Sequence, residues 1–243
     1  RRERKTEAVS RWEAAVEAGD MTAAKKLGPQ TAEYTREMVA ETKRLFELLG
    51  VTWVEAPMEA EGAAAVRCAR GEVDAVASQD WDTLLYGAPV MVRNLTSHGT
   101  RRFGRVLQGE RIVLADTLAK HGITHEQLVD LGIMIGTDFH PGIRGIGPKT
   151  GLKLIREHGT LEAVAEARDF EIPERLDEIR SLFLEHPTTP DALPHSTHAV
   201  EEDLRAFLQE ERGFSEGRVQ RALDRLTGVA RLRSSSQPTL FDF

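Results

Sequence analysis

Two pairs of carboxylates stand where a chain alternating strand and helix would bring them to one edge of a sheet. Glu59 and Glu61 lie in Glu55-Ala56-Pro57-Met58-Glu59-Ala60-Glu61, between the apolar run Val51-Thr52-Trp53-Val54 and an alanine-rich stretch. Asp80 and Asp82 follow a second apolar run, 73–78. If both runs are neighbouring parallel strands, their carboxyl ends share one crevice, where such sheets bind ligands. A fifth acid, Asp138, follows the apolar stretch 128–135 in Gly136-Thr137-Asp138. Carboxylates gathered this closely cannot all ionise unless cations neutralise them. A donor set of oxygen alone, without cysteine or paired histidine, favours Mg²⁺ or Mn²⁺ over Zn²⁺. Taken singly, each pair has a plainer reading, because acids favour helix N-termini and aspartate opens turns. Their recurrence at successive strand ends points to a metal centre.

The most specific local pattern is Gly142-Ile143-Arg144-Gly145-Ile146-Gly147-Pro148-Lys149-Thr150. Gly145 and Gly147 permit a tight turn around Ile146, which is free to anchor into a core. Pro148 suits the first position of a following helix, whose unpaired N–H groups then face outward. Such a turn binds phosphate through its backbone, and Lys149 and Lys153 add charge one turn apart. It would hold a nucleic-acid backbone without reading bases. A Walker loop is excluded, since the required Gly-Lys-Ser/Thr run is missing.

The elements that must position these groups follow from periodicity. Residues 1–49 read as amphipathic helix, interrupted at Gly19-Asp20 and Gly28-Pro29, resumed from about Thr31 and ended by Gly50. Strands are expected at 51–54, 73–78 and 89–93, with a helix over 59–70 stopped by Gly71. This alternation implies a parallel sheet. From Ile112 onward the pattern is helical. Residues 187–194 read as a linker, and 234–243 as a serine-rich disordered tail. Trp12, Trp53 and Trp81 are expected as packing anchors rather than base-stacking platforms, Cys68 as a small core residue, and His195 with His198 as no metal pair. The arginines at 218, 221, 225, 231 and 233 form either a second backbone contact or a solvated face.

Composition limits the classes. The 243 residues carry a net charge of −7, 40% hydrophobic and 6% aromatic side chains, enough for a sizeable core and too many for a disordered chain. No apolar run reaches membrane-spanning length, so no membrane partner is expected. One cysteine rules out an internal disulfide, and Arg1-Arg2-Glu3-Arg4-Lys5 is not followed by a leader-like apolar segment. A reducing cytoplasmic setting, associated with the nucleoid, is expected. The negative total argues against general coating of nucleic acid, though not against a local basic surface.

Together the acidic motifs, Ser78-Gln79-Asp80-Trp81-Asp82, Gly136-Thr137-Asp138 and the 142–149 hairpin resemble those of the flap endonucleases, structure-specific 5′ nucleases of replication and repair. The resemblance runs in order along the chain and is closest to the archaeal type. It implies an α/β fold: a parallel-sheet nuclease core with a helical arch, a helix–two-turn–helix DNA-binding element and a helical C-terminal part. The implied divisions are 1–50 for gateway and arch, 51–125 for the core, 126–160 for the DNA-binding element, 161–233 for the C-terminal helices and 234–243 for the tail. Glu59, Glu61, Asp80, Asp82 and Asp138 would be the catalytic ligands of two Mg²⁺ ions, replaceable by Mn²⁺. Glu59, Gly136 and Asp138 would also lie against DNA, with Gly145, Gly147, Lys149 and Lys153. Carbonyls of Gly142, Ile143 and Ile146 would hold K⁺. Many members carry a serine where this chain has Gly142, which a carbonyl ligand tolerates. Arg1 or Arg2 would be the gateway arginine, and Arg36 and Lys43 would line the arch.

Members of the family begin with a segment carrying two further aspartates, a lysine and the first strand, so the resemblance implies that the catalytic set here is incomplete. The tail Gln237-Pro238-Thr239-Leu240-Phe241-Asp242-Phe243 resembles a sliding-clamp (PCNA) docking peptide, with Gln237, Leu240, Phe241 and Phe243 as its contacts and the last aromatic missing. The expected protein is a monomeric 5′ flap endonuclease with 5′-3′ exonuclease activity, acting on branched DNA with a 5′ flap. The alternatives are a clamp-tethered DNA-binding module without chemistry and a metal-dependent ribonuclease.

Overall fold

A computed structural model describes residues 2–31, 35–97, 99–102, 104–187, 193 and 199–234. The chain divides into two compact units, one formed by Val54–Leu193 and the other by Arg1–Trp53 with Pro194–Phe243.

The first unit is built on a small sheet. Strand β1 (Val76–Ala77) pairs in parallel with β2 (Val90–Arg93), placing Val76 opposite Met91. On its other side β2 pairs antiparallel with β5 (Glu110–Val113), Val90 opposite Val113. The sheet is therefore mixed rather than wholly parallel. The antiparallel strand had no strong signal because Glu110 and Arg111 are exposed, and Ile112 and Val113, only half-buried, run directly into helix α6 (Leu114–His121). Between these strands β3 (Arg101–Arg102) and β4 (Arg105–Val106) form a separate short ribbon. Residues 51–54, expected as a strand, take no strand conformation, and Val51 and Val54 are exposed. A strand exists only with a ladder partner, and no described strand pairs with this segment.

Helices enclose the sheet. Helix α4 (Ala60–Ala69) buries Ala63, Ala65 and Cys68, small residues that let it lie close to its neighbours. A short helix α5 (Asp82–Leu85) buries Thr83, Leu84 and Leu85. Helix α7 (His125–Ile135) starts with a capping box formed by Thr124 and Gln127, and buries Val129, Asp130, Leu131, Ile133 and Met134. Its near-continuous apolar sequence is that of a helix enclosed on most sides. The core continues through Leu154 and Ile155 of α8 (Pro148–His158), Leu161 and Val164 of α9 (Leu161–Arg168), and Ile179 and Phe183 of α10 (Leu176–Leu184). Each such side chain contributes about 1.5–3 kcal/mol on full burial.

The core contains one charged device. Asp130 is 4% exposed. It receives bonds from Arg180 Nε at 2.7 Å and Nη2 at 2.8 Å, and from the Leu161 N–H at 2.9 Å. Arg180 also grips Glu162 with both Nη groups, at 2.6 and 2.7 Å. Three helices, α7, α9 and α10, are thereby fixed in register.

In the second unit, α1 (Arg2–Glu17) and α2 (Met21–Thr31) are separated by Gly19 at φ +71° and by Asp20, whose Oδ1 accepts the N–H groups of Thr22 and Ala23 at 3.1 and 2.9 Å. The break expected at Gly28-Pro29 does not occur, and α2 continues through both residues to Thr31. Proline already has a helical φ and near a helix end forfeits only one backbone bond. Helix α3 (Arg36–Leu48) is capped by Thr35, whose hydroxyl accepts the Met38 N–H at 3.3 Å. Leu45, Leu48 and Leu49 pack on Leu204 of α11 (Glu201–Arg205) and on Val219 and Leu223 of α12 (Glu216–Ser234). A π-helical stretch, Ala206–Glu211, follows α11. Arg44 forms a two-bond pair with Glu211 at 2.6 Å, and Arg212 pairs with Glu41.

Candidate metal centre and nucleic-acid interface

The acidic residues sit on loops whose backbone is held by the core. Glu59 is the extended N-cap of α4, and Glu61 lies in its first turn. The Asp80 N–H bonds Ser78 Oγ at 3.1 Å, and the Asp82 N–H bonds Asp80 Oδ1 at the same distance, closing a tight turn after β1. Buried Thr83, Leu84 and Leu85 anchor that turn. Asp138 occupies the loop after α7, where the Thr137 N–H donates to the His140 carbonyl at 2.8 Å. Glu59, Asp80 and Asp138 are exposed, and Glu61 and Asp82 are half-buried.

The four other acids act electrostatically on Asp82. Burial first, and then the charges of Asp80, Asp138, Glu61 and Glu59, raise the Asp82 carboxyl from 3.8 to about 6. The Tyr86 phenol is also raised, by burial and then by Glu59, Asp82, Glu61 and Asp138. Among the described residues no three acid, histidine or cysteine side chains stand close enough together to hold a metal ion. Mutual repulsion among these acids favours added positive charge, and hard oxygen donors fit Mg²⁺.

The glycine hairpin links α7 to α8. The Ile143 N–H reaches back to the Met134 carbonyl at 2.7 Å, and the Ile146 N–H closes a turn on the Ile143 carbonyl at 3.0 Å. Ile143 and Ile146 pack against the core, while Gly145 takes φ +86°. Gly142 also has φ +86°, and a Cβ there would lie 2.4 Å from the Ile135 carbonyl oxygen. On this backbone glycine is required, a stronger condition than the tolerance expected from sequence. Gly136, at φ +119°, faces the Pro141 carbonyl. Gly147 caps α8 without a side-chain bond and Pro148 begins it, leaving the first N–H groups to the solvent side.

Lys149 and Lys153 line an open groove of about 630 Å³ together with Thr150, Glu157, His158 and Arg168. Arg168 and His158 had no signal in the sequence. Each closes its own helix, and only the packing of α9 on α8 sets Arg168 beside the two lysines.

Other expectations fare differently. Cys68 is buried, as a core residue should be. Trp81 is no packing anchor: it is 51% exposed, with the Arg93 guanidinium 4.0 Å above its ring. Trp12 is also partly exposed. Trp53 is half-buried beneath Lys43, whose Nζ lies 4.4 Å from its ring centre. Arg36 is the exposed first residue of α3. Arg1, His195, His198, most of the linker and the tail residues Gln237, Leu240, Phe241 and Phe243 lie outside the described residues.

Comparison with known proteins gives this arrangement its relatives. Residues 50–138, which hold all five acids, match the XPG I-region family. Flap endonuclease 1 of Ignicoccus hospitalis is 38% identical over 247 residues, covering 100% of this chain and 71% of its own. The solved flap endonuclease-1 of Methanococcus jannaschii superposes with a TM-score of 0.71 at 34% identity, over 90% of this chain and 66% of that one. The Holliday junction-resolving enzyme GEN1, solved with product DNA and Mg²⁺, matches at 27% identity and a TM-score of 0.52, over 70% of this chain and 50% of that one. With sequence kinship along its whole extent and a shared fold beneath it, the chain belongs to the flap endonuclease 1 family.

Proposed function

We propose that the protein is a metal-dependent, structure-specific 5′ flap endonuclease with 5′-3′ exonuclease activity, cutting DNA at single-strand/duplex junctions in replication and repair. The observation that carries this reading is the end-to-end kinship with flap endonuclease 1. The convergence of the five carboxylates supports it independently.

Glu59, Glu61, Asp80, Asp82 and Asp138 hold two Mg²⁺ ions, with Mn²⁺ able to substitute. When bound, such ions would supply activation of water and neutralisation of charge on the departing oxygen. The chain's own residues do the rest. The core-anchored loops keep the carboxylates aimed into the crevice. Gly145, Gly147, Lys149 and Lys153 bind duplex backbone through N–H groups and charge, joined by Arg168 and His158. Gly136 lies close against the same strand. Carbonyls of Gly142, Ile143 and Ile146 offer a K⁺ site, supported by the positive φ of Gly142, which turns that peptide away from helical geometry. Helices α1–α3 supply the gateway and arch, with Arg36 and Lys43 lining it. The tail residues Gln237, Leu240, Phe241 and Phe243 dock on a sliding clamp, and the protein works as a monomer.

The test is cleavage in Mg²⁺ of 5′-flap DNA, single-stranded DNA and RNA. Because the chain spans 71% of the Ignicoccus hospitalis relative, the assay uses this chain joined to that relative's N-terminal part. Incision at the flap junction is expected. RNA cleavage in preference to flap DNA would replace the reading with a ribonuclease. Binding without incision would leave only a DNA-binding module.

A further inference from the structure

We propose that Trp81 is a stacking platform for an unpaired nucleobase beside the scissile phosphate. The proposal rests on the nuclease reading above and adds to it a residue that touches the substrate's base rather than its backbone.

The first observation is position. Trp81 stands between Asp80 and Asp82, so its indole leaves the same turn that offers two metal ligands. That turn is stiff. The Asp82 N–H bond to Asp80 Oδ1, at 3.1 Å, closes it, and Thr83, Leu84 and Leu85 root it in the core. The ring is thus carried by backbone already committed to the site.

The second observation is exposure. An indole is among the costliest side chains to leave in water, yet this one is 51% exposed directly before the buried Thr83, Leu84 and Leu85. Position 81 requires nothing of tryptophan locally: its backbone is ordinary helical, at φ −70° and ψ −20°, and its side chain makes no cap.

The third observation is support. Arg93, at the end of β2, places its guanidinium 4.0 Å over the ring. Arg93 is itself held by the Gln79 carbonyl at 3.4 Å and by Glu110 at 3.7 Å, and is 21% exposed. One face of the indole is therefore backed by a fixed cation, while half of the residue stays open to solvent. A planar aromatic with one face braced and one face open is the form of surface on which bases stack. The guanidinium also sets positive charge beside five carboxylates that would otherwise repel a polyanion.

The occupant follows from the chemistry of the neighbourhood. Anything lying on Trp81 is within one residue of Asp80 and Asp82, and a nuclease must leave that place open to its substrate. Every base has a π-face, so stacking tolerates all sequences, as an enzyme that recognises structure requires. Inside a duplex that face is covered by neighbouring pairs, whereas an unpaired base at the junction presents it freely, which favours the single-stranded side.

The experiment is a double-mutant cycle between protein and DNA. Flap substrates carry an abasic site at one of the nucleotides flanking the scissile phosphate, and Kd is measured by anisotropy with Ca²⁺ in place of Mg²⁺. The full chain is compared with Trp81→Phe, Trp81→Leu and Trp81→Ala. Thermal unfolding of each variant shows that the half-exposed position leaves the fold intact, and Trp81→Leu keeps bulk should the alanine variant fold poorly. Trp81→Ala and Trp81→Leu are expected to weaken binding of base-bearing flap about 5- to 150-fold, the equivalent of 1–3 kcal/mol per stacked base. Trp81→Phe should retain most of the affinity. On the substrate abasic at the stacked position the variants and the wild type should bind alike. A 2-aminopurine at that position should be quenched by the wild type and not by Trp81→Ala. Equal losses on base-bearing and abasic DNA, or no loss at all, would overturn the platform while leaving the nuclease reading in place. A wild-type chain with no preference for flap over blunt duplex would overturn both.

Discussion

At the scale of single residues the protein sets like charges together and leaves them to be neutralised. Asp82 illustrates this, half-buried and pushed up to about 6 by burial and by four neighbouring carboxylates. If these acids hold catalytic metals, removing one ligand should spare binding and stop chemistry. Asp80→Ala or Asp138→Ala, in the chimera used for cleavage, should lower the single-turnover rate by about a thousandfold or more, several kcal/mol of lost charge stabilisation, with flap affinity largely kept. A variant that cuts at near wild-type rate shows that its residue is no ligand. The basic groove makes a complementary case, since Lys149, Lys153 and Arg168 face one space with a single acid, Glu157, among its lining. Replacing both lysines with alanine should flatten the plot of log Kd against log salt by roughly 0.9 per lost phosphate contact, one to two units in all, and Arg168→Ala should remove a further share. The losses should be the same for all sequences. An unchanged salt slope would remove the groove from the interface.

At the scale of elements, the hairpin depends on helices that stay in register. Gln127 shows how this is done: its Oε1 accepts the Thr124 N–H at 2.9 Å while its Nε2 donates to the Gly159 carbonyl at 3.0 Å, tying the start of α7 to the end of α8. Arg180 joins α10 to α7 and α9 through Asp130 and Glu162. Breaking this device by Arg180→Met leaves Asp130 charged and buried with one backbone donor, and should cost about 3–5 kcal/mol in urea unfolding. It has a pH dependence of definite sign. Arg180 holds Glu162 down, from 4.5 to about 2. A carboxylate with a lowered folded value adds stability that is complete above its unfolded value and fades as pH falls towards the folded one. Wild-type stability should therefore decline between about pH 4.5 and 2, and this part of the decline should vanish in Arg180→Met. Glu162 is 43% exposed, so the contribution is smaller than that of a buried pair. Parallel acid-unfolding curves for the two proteins would show that the pairing carries no linkage.

At the scale of the molecule, a net charge of −7 coexists with a cationic groove, so attraction to DNA is local rather than general. On the proposed reading the C-terminal peptide docks on a sliding clamp. Leu240 and Phe243 are three residues apart, and one helical turn would present both to a single apolar pocket with Gln237 at its edge. Burial of a Leu and a Phe yields about 1.5–3 kcal/mol each before ordering costs, which suits micromolar binding raised by tethering on clamp-loaded DNA. Deleting residues 237–243 should abolish stimulation by a sliding clamp and leave clamp-free flap binding unchanged. Clamp binding that survives the deletion would place the contact elsewhere.

Sequence alone determined the features that local chemistry dictates. The hairpin was legible because Gly145, Gly147 and Pro148 each answer a backbone requirement within a few residues of themselves. The helix ends at Gly50 and Gly71 and the break at Gly19-Asp20 were legible for the same reason. The acids could be singled out because their positions after apolar runs are a matter of order along the chain. What needed partners far away in sequence was not legible. Residues 51–54 have the composition of a strand and form none, because strand structure lies in a ladder and not in one segment. The antiparallel partner of β2 was likewise settled by pairing across the sheet. The Arg180 network links positions 130, 162 and 180. Arg168 reaches the groove only because α9 folds against α8. Trp81 has the same composition whether buried or exposed, and only the meeting of its loop with Arg93 decided that its ring stands open beside the acids.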